Sequence, residues 1–216
     1  MTSRTHARLE RAEIPGPSGP LEALLRHPAV PAGTAVVAHP HPLLGGTMHT
    51  KVVHRTARLL SERFGLATLR FNFRGVGASA GDYSGGPGET SDLVVAARWL
   101  RDRQPDGPLV LGGFSFGSVC ALHAASALAP DVLLLIGVPT GRLTALPAIP
   151  PATRVFWVQG AEDEYSPSER GRAVAEGRLW DFAVVPGADH FFSGRLEAFE
   201  EAAAEGLRRA LEGRGP

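Results

Sequence analysis

An apolar run, Leu109-Val110-Leu111, leads into Gly113-Phe114-Ser115-Phe116-Gly117, and an amphipathic, Ala-rich helical pattern follows at once. Strand, G-x-S-x-G, helix lifts a serine on a sharp turn, where small residues are needed two positions to either side. A serine so placed is a candidate nucleophile and needs a base to take its proton. The motif occurs twice in this chain. Gly77-Ala78-Ser79-Ala80-Gly81 lies beyond an apolar run that ends near Phe73, and no helical pattern begins before about Glu89. That context predicts a flexible loop for Ser79. Ser115, with both flanks in order, is the better nucleophile; its alternative reading is a small residue at a crowded strand–helix junction.

A serine on such a turn is followed along the chain by an acid and then a histidine. Of the eight histidines, His6, His27, His39, His41, His49 and His54 precede Ser115, and His123 falls inside the helix that follows it. His190 remains, in Pro186-Gly187-Ala188-Asp189-His190-Phe191-Phe192, after the last strand candidate and before the last helix. Loops at the carboxyl ends of strands are where an α/β sheet carries its chemistry. Among the intervening acids, Asp131 and Asp181 begin strands, and Glu169 and Glu176 fall in a helical pattern. Asp189 neighbours His190, but adjacent loop side chains diverge. The loop Gly160-Ala161-Glu162-Asp163-Glu164-Tyr165 is left, and Asp163, at G-x-x-D spacing, is preferred over Glu162 and Glu164. Ser115 would then attack a carbonyl, His190 would shuttle the proton, and Asp163 would hold the imidazole.

Acyl transfer also needs two N–H groups aimed at the developing oxyanion. Phe116, after the nucleophile, supplies one. The other is expected from His39-Pro40-His41-Pro42-Leu43-Leu44-Gly45-Gly46. Pro40 and Pro42 have no N–H, which leaves His41, or else Leu43. The paired histidines also resemble metal ligands, although no cysteine or carboxylate cluster accompanies them, and neither metal nor cofactor is expected.

These residues need a frame. Strand candidates occur at 8–14, 21–26, 34–38, 66–72, 109–113, 132–136, 154–158 and 181–185. The middle ones are apolar on both faces, as parallel strands covered on both sides are. Helical patterns fall at about 47–64, 89–103, 116–128, 168–177 and 195–212; the second opens on a capping run, Glu89-Thr90-Ser91-Asp92. Strand and helix alternate from residue 34, predicting a mostly parallel α/β sheet of about eight strands with helices on both faces. The first two strands, with no helix between them, predict an antiparallel edge hairpin. Pro/Gly-rich stretches at 15–20, 81–88 and 138–151 read as loops rather than linkers, so residues 1–216 are expected to form a single domain.

Composition narrows the classes. The 216 residues carry zero net charge and are 44% hydrophobic and 20% charged, as in an ordinary globular protein. No basic stripe points to nucleic acid, and no long apolar stretch points to a membrane span. Cys120, the only cysteine, excludes an internal disulfide and C-x-x-C chemistry. The first residues lack the apolar core of a signal peptide, so a cytoplasmic location is expected. The expected partner is a small molecule; a homodimer stays open.

Taken together, AHPHPLLGGTMHTKVV, FNFRGVGASAGDYSGGPGE, GGFSFGS, QGAEDEYSP and GADHFF, in that order, resemble the α/β-hydrolase superfamily. The likeness is to its small, cap-less bacterial serine esterases, related to dienelactone hydrolases, and spans about residues 20–212. It implies an ester-cleaving triad of Ser115, Asp163 and His190, with oxyanion donors around His41 and Phe116. There are departures: dienelactone hydrolases carry cysteine at the elbow, and the lipase-type H-G-G-G is replaced by HPHPLLGG. Lid domains in the superfamily sit between the sixth and seventh strands; here residues 137–153 are too few for one. An open acyl pocket is expected, lined by Phe116, Leu43, Leu44, Tyr165, Phe191 and Phe192, although the last two would serve equally as core packing. The implied activity is hydrolysis of short-chain esters. A thioesterase, a small-substrate amidase or peptidase, or a non-catalytic binding protein on the same fold are the alternatives.

Overall fold

The computed structural model describes residues 7–143 and 145–212. His6, Thr144 and the ends of the expected 1–216 unit lie outside those residues. Among the described residues, β1 (Arg8–Gly16), β2 (Gly19–His27), β3 (Gly33–Ala38), β4 (Leu66–Phe71), β5 (Leu109–Phe114), β6 (Val132–Ile136), β7 (Arg154–Gly160) and β8 (Asp181–Val185) form one sheet. Its order is β1-β2-β4-β3-β5-β6-β7-β8.

The sheet is mixed. β3 to β8 are parallel, while β2 runs antiparallel to both β1 and β4. The expected edge hairpin is present and tighter than expected: Gly16 pairs with Gly19 and Pro15 with Pro20. Most of the stretch 15–20, read as a loop, is therefore strand. Its prolines are tolerated because they stand at the hairpin end, where an N–H is dispensable.

Five helices are described: α1 (Lys51–Phe64), α2 (Pro87–Arg103), α3 (Phe116–Leu128), α4 (Ser168–Arg178) and α5 (Leu196–Glu212). Two starts differ from expectation. Residues 47–50 form a turn ahead of α1, and α2 begins at Pro87, a residue suited to the first helical position because it lacks an N–H. Its cap is Gly86, whose N–H donates to Glu89 Oε2 at 2.7 Å, so Glu89 is the third helical residue, not the cap.

Side-chain alternation along the strands splits the core in two. Val36, Leu69, Leu111, Leu133, Leu135 and Trp157 pack with Leu93 and Leu100 of α2 and Ala121 of α3. Ala35, Val37, Val110, Leu134, Phe156 and Val158 pack with Val53 and Leu60 of α1 and Phe199 and Leu207 of α5. Every residue of β3, β4, β5 and β6 is buried, which is why these strands read as mostly apolar runs, with Thr34, Thr68 and Arg70 as buried polar exceptions. No described helix is long and apolar enough to cross a membrane.

Because the parallel strands share one direction, the loops after β3, β5, β7 and β8 open at the same end of the sheet. The β6–β7 connection, residues 137–153, holds only a short 3-10 turn, Thr140–Arg142, among its described residues. Nothing folded is inserted there.

Candidate active site

Ser115 joins β5 to α3 at φ 54°, ψ −118°, a strained conformation for a residue with a side chain. The surrounding turn holds it there. Ser115 N–H donates to Ile136 O at 2.8 Å, and Ser115 O accepts from Ser118 N–H at 2.9 Å. A Cβ on Gly113 would lie 2.2 Å from Gly117 O, and one on Gly117 would lie 2.5 Å from Ala38 O. The glycines are required by backbone-to-backbone contact, and that contact presses α3 against the end of β3.

His190 follows β8, and its Nε2 lies 2.9 Å from Ser115 Oγ. Its Nδ1 lies 2.8 Å from Asp163 Oδ2. A carboxylate only accepts, so Nδ1 carries the proton and Nε2 is free to accept from the serine hydroxyl. The imidazole is wedged among Phe114, Tyr165 and Phe191, with ring centroids at 5.1, 4.8 and 5.2 Å. It is 3% exposed, which limits the water that could compete for the serine proton.

Asp163 stands on the loop after β7 and accepts four hydrogen bonds. Tyr165 N–H (2.9 Å) and Ser166 N–H (3.0 Å) donate to Oδ1; Gln159 Nε2 (2.6 Å) and His190 Nδ1 donate to Oδ2. These four donors fix the carboxylate in place against the imidazole. The acid and histidine loops also meet along their backbones, where Glu162 N–H donates to Ala188 O at 2.9 Å. The flanking acids serve elsewhere. Glu164 Oε2 accepts His190 N–H at 3.2 Å, and Asp189 Oδ1 accepts Ser193 N–H at 2.8 Å.

Phe116 is the first residue of α3, where a backbone N–H has no partner within the helix. In the loop after β3, Leu43 N–H is turned onto His41 Nδ1 at 3.3 Å, so of the two candidates Leu43 is already engaged. With Nδ1 accepting, His41 Nε2–H faces the Tyr83 hydroxyl at 3.1 Å. The His41 ring also packs on Phe116, centroids 5.0 Å apart. Tyr83 belongs to the segment 74–86, which α2 holds at both ends: Arg74 makes hydrogen bonds to Asp92 at 2.6 and 2.9 Å, and Glu89 accepts Ser84 N–H at 2.8 Å.

His39 is fully buried. Its Nδ1–H donates to Pro40 O at 2.6 Å, and its Nε2 accepts Phe73 N–H at 3.0 Å. Burial pushes its pKa down to about 4. Both nitrogens of the ring are therefore spent on holding β3 and the strand end at Phe73 together. Among the described residues no three His, Cys, Asp or Glu side chains are grouped to hold a metal ion. Cys120 is buried in α3, and burial drives its thiol pKa well up.

A cleft of about 420 Å³ opens over Ser115, between His41, Leu44 and Tyr83 on one side and Tyr165, His190 and Phe191 on the other. Of the residues named from the sequence for an acyl pocket, Phe116, Leu44, Tyr165 and Phe191 line this cleft. Two expected residues do not. Leu43 is 69% exposed and does not line the cleft, and its N–H is folded back onto His41. Phe192 is fully buried and packs on Phe199 of α5 at 4.7 Å. It continues the core beneath α5, while Phe191 beside it takes the cleft side. Tyr83, Thr50, Val119 and Pro139 also line the cleft without having been singled out from the sequence.

The second G-x-S-x-G is not the flexible loop expected. Ser79 is 7% exposed, its Oγ donating to Asn72 O at 2.7 Å and accepting Glu22 N–H at 2.9 Å. It pins β2 to the end of β4. Glu22 is held below the usual carboxylate range, chiefly by the Ala78 N–H.

No family model matches the sequence. The structure of an α/β serine hydrolase without lid from Xanthomonas campestris superposes with a TM-score of 0.87, at 37% identity over 97% of each chain. An α/β serine hydrolase homologue from Coxiella burnetii gives 0.82, at 37% identity over 92% of this chain and 97% of its own. An uncharacterized protein of Rickettsia prowazekii is 33% identical over 207 residues, covering 87% of this chain and 84% of its own.

Proposed function

This chain belongs to the α/β-hydrolase superfamily, alongside lid-less serine hydrolases, and on that premise we propose that it hydrolyses small carboxylic esters through an acyl-enzyme intermediate on Ser115. The observation that carries the reading is the unbroken line from Ser115 Oγ to His190 to Asp163, with links of 2.9 and 2.8 Å, at the floor of the cleft.

In this reading Ser115 Oγ attacks the ester carbonyl carbon while its proton passes to His190 Nε2. The carbonyl oxygen becomes an oxyanion and accepts from the Phe116 and His41 N–H groups, each contributing about 3–4 kcal/mol of barrier lowering. Collapse breaks the bond to the alcohol oxygen, which leaves with the proton from His190. Water then gives one proton to the same nitrogen as its oxygen bonds to the acyl carbon; collapse breaks the bond from that carbon to Ser115 Oγ, which takes the proton back from His190 as the acid departs. Asp163 offsets the imidazolium charge at both stages and stays ionised.

Two features favour small, neutral substrates. The cleft holds about 420 Å³, and among the described residues none that line it is Lys, Arg, Asp or Glu. The short β6–β7 connection leaves it without a covering domain. A series of p-nitrophenyl esters from acetate to laurate, run on wild type and Ser115→Ala, tests the reading. Turnover strongest on short chains and lost in the variant is the expected result. Inactivity on every ester, or an active Ser115→Ala, rejects it, and faster turnover of matched thioesters moves the assignment to a thioesterase.

A further inference from the structure

β7 reads Arg-Val-Phe-Trp-Val-Gln-Gly, and Gln159 is its polar interruption. Trp157 and Gln159 stand two apart and so share a face of the sheet, and both are fully buried. A buried primary amide is unfavourable unless its hydrogen-bonding groups are matched. Here all of them are. Gln159 Oε1 accepts from Trp157 Nε1–H at 2.8 Å. Nε2 donates one hydrogen to Asp163 Oδ2 at 2.6 Å and the other to Ser166 O at 3.1 Å.

This arrangement fixes the amide's direction. The indole can only donate and the carboxylate can only accept, so a flipped amide would oppose donor to donor and oxygen to oxygen. Ser166 is itself tied across to the β6–β7 connection, its Oγ lying 2.7 Å from Thr140 Oγ1. The carboxylate oxygen that Gln159 touches is the one that receives His190 Nδ1–H.

We propose that Gln159 is a positioning residue for the triad: locked by Trp157, its amide sets the place and lone-pair direction of Asp163 Oδ2, and so the orientation of His190 toward Ser115. The inference rests on the triad reading above, but one arm of its test is independent of turnover. Gln159→Leu removes the donor and keeps the volume. Gln159→Glu keeps the shape but sets a second carboxyl against Asp163, and it stands in if the first variant does not fold.

With p-nitrophenyl acetate at pH 8, Gln159→Leu should lower kcat about tenfold with KM within twofold, and Gln159→Glu should lower it further. A smaller fall is expected for Trp157→Phe, which only unlocks the amide. In the second arm, the low-field proton resonance of His190 Nδ1–H, identified by its absence in His190→Ala, should shift or broaden in Gln159→Leu. A residue that merely stabilised the loop would move neither kcat below the melting temperature nor this resonance. Wild-type kcat in both Gln159 variants together with an unmoved resonance would overturn the proposal. If instead wild type turns over no ester, the triad reading fails, while the resonance still decides whether Gln159 orients the Asp163–His190 bond.

Discussion

The Tyr83 hydroxyl lies 3.1 Å from His41 Nε2, so a side chain from the glycine-rich segment before α2 meets the loop that follows β3 on the same wall of the cleft and holds it. The backbone N–H proposed as the second oxyanion donor belongs to this same His41. Tyr83→Phe keeps the ring packing on Phe116 and removes the hydroxyl. Its expected effect is a three- to tenfold lower kcat for short p-nitrophenyl esters, with KM little changed, since a donor that shifts off the oxyanion costs the transition state more than the bound ester. An unchanged kcat would separate Tyr83 from the oxyanion loop.

The two G-x-S-x-G copies make opposite predictions. Ser115→Ala should abolish turnover without lowering stability. Ser79→Ala should leave kcat within twofold but cost about 1–3 kcal/mol in urea unfolding, since it strands the part-buried Glu22 N–H and the buried Asn72 carbonyl that the hydroxyl satisfies. A fluorophosphonate probe followed by peptide mapping should label Ser115 and not Ser79.

Neighbouring phenylalanines should part in the same way. Phe192→Ala empties a fully buried site against Phe199 and should cost about 3–5 kcal/mol. Phe191→Ala, at the cleft, should leave stability nearly intact and shift the preferred ester chain length. Melting curves and the chain-length series read the two effects separately.

Acid should destabilise the fold through His39. Its folded pKa is about 4, below the ordinary value near 6.5. The unfolded chain therefore binds the proton first. Stability is fully present above pH ~6.5 and is lost as pH falls toward 4, by about 3 kcal/mol in all. His54, lowered chiefly by burial, acts in the same direction. Thermal melts between pH 4 and 7.5 should show a shallower slope for His39→Gln than for wild type; parallel curves would show that His39 is not the source.

The line from Ser115 to His190 to Asp163 was readable in the sequence because chain order is restrictive: after Ser115 and outside its helix, His190 is the one histidine, and Asp163 is bracketed by a strand and a helix. The core strands were readable for a related reason, since burial on both faces leaves mostly apolar runs. Other features depend on contacts that spacing does not encode. Tyr83 sits in a stretch whose glycines and prolines announce only a loop. Phe191 and Phe192 are the same residue type in consecutive positions, and their separation follows from the turn between β8 and α5. Ser79 reads as mobile because its partners, Glu22 and Asn72, are remote in sequence. Gln159 left one trace, a polar residue in the buried alternation of β7, but its meaning depends on Asp163 folding back over the strand end.

The clearance at the elbow has a consequence for how this protein can change. Gly113 is blocked by the backbone of Gly117 and Ser118, and Gly117 by the end of β3 at Ala38 and His39, so neither can grow before α3 moves. Residue 115 already carries a Cβ in its strained conformation, and a cysteine there needs only a sulfur in place of an oxygen. The residue at 115 is thus the exchangeable part of the elbow, and the glycines that mount it are the sterically constrained part. Selection for new chemistry has one easy step available at 115, whereas at 113 or 117 it meets a barrier that must be crossed by several changes at once.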